Sequence, residues 1–154
     1  MADYTILVTY DSSSNTVTFG GDADLSGGID VDWGTAQSKT ICFQLLGTVG
    51  DTWAGIRIAR KESDVHKAPA KTETQGLYGS TCFEVGPTNN AVDPPMLTIT
   101  DVKNPVSVSD GSWFYCLGIL HPNGDKSWPD PRIDNPGGER IFNRGLMHAR
   151  KPQP

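Results

Sequence analysis

Asp22, Asp24, Ser26, Asp30 and Asp32 place five side-chain oxygen donors inside one short stretch, "GGDADLSGGIDVDWG". Carboxylates and hydroxyls at alternate loop positions are what hard cations take, so calcium is the ion such a stretch would hold. Counted from Asp22, oxygen donors fall at loop positions 1, 3, 5 and 9, with Gly27 at 6 and Ile29 at 8. That is the first part of an EF-type loop. Trp33 stands at position 12, where a bidentate Glu is needed, and no helical pattern flanks the stretch. The EF form is therefore excluded, and two readings stay open. Asp30 and Asp32 could swing back to complete a calcium site of another geometry. Alternatively, Asp22 and Asp24 alternate with Ala23 and Leu25, as Asp30 and Asp32 do with Val31 and Trp33. That period of two describes an acidic hairpin of two short arms joined by Ser-Gly-Gly.

Other chemistry is scarce. The chain has no G-x-S-x-G elbow, no C-x-x-C, no phosphate-binding Gly loop and no paired-His zinc spacing. His66, His121 and His148 are far apart, so a Ser–His or Cys–His group would have to be assembled in space. His121 precedes Pro122 at a turn, the usual setting of a solvent-facing His. Asp101, Asp110, Asp130 and Asp134 are the carboxylates from which an aspartic-type dyad could be built, although no Asp-Thr-Gly or Asp-Ser-Gly stretch is present. Four tryptophans raise carbohydrate stacking as a further reading. Trp53 and Trp113 lie inside strand patterns and read as core. Trp33 and Trp128 border Gly- and Pro-rich loops and are the stacking candidates.

The chain has 154 residues and a net charge of −5, with 17 glycines and 11 prolines. This is one turn-rich domain, long enough to bury a core without disulfides. The run after Gly138 carries Arg140, Arg144, Arg150 and Lys151 against Glu139, so the body before it is more acidic than the whole. An acidic body disfavours nucleic acid. Cys42, Cys82 and Cys116 each sit in an apolar run and read as buried, reduced thiols. With no signal peptide in "MADYTILVTY" and no apolar run long enough to span a membrane, the expected location is cytoplasmic.

Strand signals must position these groups. Residues 3–19 read as a hairpin around "DSSSN". "KTICFQLLG", "TWAGIRIA", "STCFEV", "MLTIT" and the apolar "SWFYCLGIL" read as further strands, and "NPVSVS" as an edge strand because of its proline. "HPNGDKSW" holds an Asn-Gly hairpin signal. Residues 60–79 read as a long surface loop, and "GPTNNAVDPP" as another. In "GERIFNRGLMHARK", Phe142 and Leu146 have the spacing of one helical face. The expectation is an all-β antiparallel β-sandwich, immunoglobulin-like or jelly-roll-like, of about seven or eight strands. It would span residues 1–136, with a basic extension over 137–154.

The segment "WFYCLGILHPNGDKSWPDPRIDNPGG" runs from an aromatic strand through an Asn-Gly turn to Asp130-Pro131, Ile133 and Asp134-Asn135-Pro136. It resembles the C-terminal signature of the DP-EP family of small bacterial proteins. More loosely, it resembles the ending of the AidA/PixA inclusion-body proteins. Asp134-Asn135-Pro136 stands where the DP-EP pattern has its second acidic-Pro element, and no catalytic residue carries over. Both resemblances imply a bacterial β-sandwich, and the second implies self-association in the cytoplasm. The acidic body, the basic tail and the lack of a catalytic signature give the expected function: a non-enzymatic protein acting by self-association, as a homo-oligomer, or by docking on a partner. Arg140, Phe142, Arg144, Leu146, Arg150 and Lys151 are its candidate contacts. The alternatives are a calcium- or carbohydrate-binding module and a carboxylate-dyad hydrolase.

Overall fold

The computed structural model describes residues 2–24, 27–32, 36, 38–59, 65, 70, 83–102, 111–131 and 139–143. Eleven strands and no helix occur among them. Seven are long: β1 (Tyr4–Asp11), β2 (Thr16–Gly21), β4 (Ser38–Leu46), β5 (Thr52–Ala59), β6 (Phe83–Asn89), β7 (Met96–Val102) and β8 (Gly111–Leu120). Four are short: β3 (Ile29–Val31), β9 (Lys126–Ser127), β10 (Asp130–Pro131) and β11 (Glu139–Asn143).

They form two sheets. The first, sheet A, has the order β10-β2-β1-β4-β7-β6, and the second, sheet B, has the order β3-β11-β8-β5 with β9 paired to β8. Inward side chains of both sheets share one core, as the alternation along each strand requires. Sheet A supplies Ile6 and Val8 from β1, Ile41, Phe43 and Leu45 from β4, Leu97 and Ile99 from β7, and Phe83 and Val85 from β6. Sheet B supplies Trp53, Ile56 and Ile58 from β5, Trp113, Tyr115, Leu117 and Ile119 from β8, and Ile29 and Val31 from β3. Across the two sheets, the Tyr115 ring lies 5.3 Å from Phe43 and 6.5 Å from Phe19, and the Trp113 ring 5.3 Å from Phe83. The protein is an all-β sandwich.

Local sequence explains most pairings. Asn15 takes a positive φ in the β1–β2 turn, and the Asn-Gly turn after β8 uses Gly124 at φ +93. Trp53 and Ile56 both face inward because a bulge at Gly55 shifts the β5–β8 register between them. Strand β6 continues through Gly86 and Pro87, which the sequence marks as loop. A register shift between Val85 and Thr88 accommodates them, and β6 is the outer strand of sheet A, where a proline is tolerated.

Three features depart from the sequence expectation. Beside its antiparallel pairs the sandwich has parallel ones, β1 with β4, β10 with β2 and β11 with β3. The acidic stretch is not a hairpin. Asp22 and Ala23 follow the end of β2 in sheet A, whereas Ile29–Val31 is β3 in sheet B, so the stretch carries the chain from one sheet to the other. Finally, Glu139–Asn143 is a strand rather than a helical turn. Strand β11 lies between β8 (Ile141 opposite Trp113) and β3 (Ile141 opposite Ile29), so the second sheet reaches past residue 136 into the basic run. Two flanking strands decide its conformation, and the i, i+4 spacing of Phe142 and Leu146 carries no comparable weight.

Candidate functional site

Two aspartates of the acidic stretch, Asp22 and Asp24, accept from the backbone. Asp22 Oδ2 accepts from Thr5 N–H at 2.8 Å, and Asp22 N–H donates to Thr5 C=O at 2.9 Å. Asp24 Oδ1 accepts from Gly28 N–H at 2.7 Å, and the Asp24 and Gly28 backbones are joined by a second bond of 2.9 Å. Gly27 is held by the buried Tyr115 hydroxyl, which donates to its carbonyl at 2.6 Å. Asp30 is exposed on β3 between buried Ile29 and Val31, and the Asp32 N–H donates to Tyr4 Oη at 2.9 Å. The carboxylates are thereby distributed over two sheets. Among the described residues, no three His, Cys, Asp or Glu side chains gather where they could hold a metal ion. The proposed calcium cluster of Asp22, Asp24, Asp30 and Asp32 is thus not formed. Its fifth candidate, Ser26, lies outside the described residues.

The other candidates fall as follows. Asp130 is on β10 and Asp101 on β7, four strand steps apart in sheet A, about 19 Å at the usual interstrand spacing. They do not form a dyad, and Asp110 and Asp134 lie outside the described residues. Trp53 and Trp113 are core, as expected. Trp128 is half-buried. Its ring lies over Gly118, where an added Cβ would stand 2.7 Å from it, and the Arg57 guanidinium sits 4.0 Å from its centroid. That cation–π contact engages Trp128 within the fold. No described tryptophan is therefore an exposed stacking platform, and Trp33 lies outside the described residues. Of the partner-contact candidates, Arg140 and Phe142 are on β11, whereas Arg144, Leu146, Arg150 and Lys151 lie outside the described residues. His66 and His148 do as well, and so do Cys82, "NPVSVS" and most of 60–79. Cys42 and Cys116 are buried free thiols, and burial raises the Cys42 thiol above its ordinary pKa.

Two arrangements were not legible in the sequence. His121 Nδ1 lies 2.9 Å from Asp51 Oδ1, its Nε2 lies 2.6 Å from Ser127 Oγ, and Thr48 Oγ1 donates to Asp51 Oδ2 at 2.5 Å. Residues 47–51 connect β4 to β5, and 121–125 connect β8 to β9, so two turns at one end of sheet B meet here. The side chain of Asp51 is 8% exposed and that of His121 21%, and the Tyr10 ring lies 5.9 Å from the imidazole. The Asn-Gly turn does predict that His121 and Ser127 flank one hairpin, but nothing local marks Asp51, 70 residues away.

The second arrangement is Asp101. It continues the inward row of Leu97 and Ile99 on β7 and is fully buried, opposite Phe83 on β6 and Lys39 on β4. Neither carboxyl oxygen has a hydrogen-bond partner among the described residues. Burial pushes its pKa up from 3.8 to about 9, so the carboxyl is protonated at neutral pH.

The architecture and these sites define an all-β sandwich with a hydrogen-bonded His–Asp–Ser group at one end. Compared with known proteins, the chain matches no family model and no curated protein. No helix among the described residues is long and apolar enough to cross a membrane.

Proposed function

We propose that the protein acts by docking on a second copy of itself through the outer edge of sheet B. The observation that supports this reading is the parallel pairing of β11 with β3, the outermost strand of that sheet. It brings the start of the cationic run beside the acidic stretch. Phe142 is opposite Asp30 and Asn143 opposite Val31, Asp32 follows β3, and Arg144, Arg150 and Lys151 follow β11 in sequence. The residues that follow β3 and β11 in sequence thus carry opposite charges, and a contact that pairs them between two copies is self-complementary about a two-fold axis. The looser likeness of residues 113–138 to the AidA/PixA ending, which implies self-association, supports the same reading. So do the reduced thiols, which suit a cytoplasmic setting.

The strand placement also decides how to test it. Cutting at Gly138 removes β11 and breaks sheet B, whereas cutting after Asn143 keeps every described strand and removes only the cationic run. Light scattering on the two chains reads the difference. The full chain should be a dimer or larger, and the chain ending at Asn143 a folded monomer. A full chain that stays monomeric at high concentration would sink the proposal.

A further inference from the structure

We infer that Ser127 is a nucleophile, activated by His121 and Asp51, that accepts acyl groups from activated esters or thioesters. This activity stands apart from docking, since the group is built by the 47–51 and 121–125 turns and uses neither β3 nor β11. A nucleophilic serine needs a base within hydrogen-bond reach and a third group that fixes the base. Ser127 Oγ to Nε2 at 2.6 Å and Nδ1 to Asp51 Oδ1 at 2.9 Å meet both conditions. A carboxylate only accepts, so Asp51 sets Nδ1 as the protonated nitrogen and leaves the Nε2 lone pair directed at the serine hydroxyl. Thr48, donating to the other Asp51 oxygen, fixes the carboxylate in turn. The burial gradient fits these roles: a buried carboxylate, a partly open imidazole and a half-buried serine on the two-residue strand β9.

The same turn limits the substrate. Three of its backbone donors are committed: His121 N–H to Asp125 C=O, Gly124 N–H to His121 C=O, and Asp125 N–H to Asn123 Oδ1. They do not serve as a preformed oxyanion hole, which in acyl transfer contributes about 10²–10³ in rate. Amides need that help, whereas esters with good leaving groups need less of it. In the acylation step, Ser127 Oγ bonds to the acyl carbon as its proton passes to Nε2. The bond from acyl carbon to leaving oxygen or sulfur breaks, and Nε2 returns the proton to the leaving group. Water, deprotonated by the same nitrogen, then releases the acid and restores Ser127. Ser127 and His121 are the catalytic residues, and Asp51 and Thr48 position them.

Two readouts on the full chain test this. Treatment with a fluorophosphonate should leave one adduct, on Ser127 by peptide mass spectrometry, with fluoride displaced. Turnover of p-nitrophenyl acetate should fall roughly 100-fold in Ser127→Ala, the usual range for losing general-base chemistry. Asp51→Asn should lower kcat by at least about 10-fold and leave KM unchanged, which a general loosening of the site would not do. Should Ser127→Ala not fold, adduct mapping on the native chain decides alone. No adduct on Ser127 of the folded protein, or equal turnover in a folded Ser127→Ala, overturns the assignment. Unchanged light scattering in Ser127→Ala separates this result from the docking test.

Discussion

Replacing Asp101 by Asn raises stability at pH 7 by up to about 4 kcal/mol, and the gain grows with pH. The unfolded chain ionises this carboxyl near 3.8, while the folded chain holds it protonated up to about 9. Between those values the unfolded state binds fewer protons than the native state, so native stability falls as pH rises. Sign and window follow from the raised folded pKa. The stability is complete below about pH 4 and declines through pH 9. Each unit of pH removes about 1.4 kcal/mol, which over the interval from 3.8 to 7 sums to the figure above. Asn keeps the shape of the protonated acid and cannot ionise, so it removes the pH-dependent part while leaving Phe83, opposite on β6, and Ile99, the next inward residue on β7, in place. The magnitude is comparable to burying one or two of the core aliphatics at roughly 2 kcal/mol each. Urea unfolding at pH 5 and pH 8 is the check. The native chain should lose stability between the two while Asp101→Asn stays level, and parallel profiles would contradict a buried carboxyl held protonated by the fold.

Gly21→Ala should cost about 3 kcal/mol, whereas Gly20→Ala next to it should stay within roughly 0.5 kcal/mol. Gly21 has φ +71, a region where a side chain is strained, and a Cβ there would stand against the Thr5 carbonyl oxygen. That carbonyl cannot yield cheaply, because it accepts from Asp22 N–H while Thr5 N–H donates to the Asp22 carboxylate. The substitution therefore opens the clamp that starts the crossover between sheets. A Cβ on Gly20 meets only the Leu7 Cβ at 3.8 Å, an ordinary contact. Midpoints of urea unfolding for the two variants would show whether Asp22 is a clamp. Equal midpoints would argue that it is not.

The strands were legible where period two runs through β-branched and aromatic residues. Ile6, Val8 and Tyr10, or Trp113, Tyr115, Leu117 and Ile119, declare an inner face without any partner being known. Parallel pairing was not legible, since whether β1 lies beside β4 or β2 joins β10 depends on how the chain crosses between layers. The Asp-x-Asp-x pattern of 22–32 looks the same for a hairpin and for a crossover ending in a short strand. Only the sheet to which Ile29 and Val31 belong separates the two. Charge pattern at Glu139–Asn143 hid a strand, because its partners β3 and β8 lie far off in sequence. The His121 group shows the same limit. Hairpin geometry can place Ser127 opposite Ile119, two residues before His121, but Asp51 arrives from another turn. Asp101 was visible as a titratable residue, and only the alternation with Leu97 and Ile99 shows that it faces the core.

Docking through the edge where β3 and β11 meet should show in sedimentation of the full chain at low and high salt. Attraction between acidic and basic residues of two copies is screened over about 10 Å at 0.1 M salt and about 3 Å at 1 M. A dimer or larger species at low salt should dissociate to folded monomer as salt rises. A monomer under both conditions, or an assembly indifferent to salt, would contradict it.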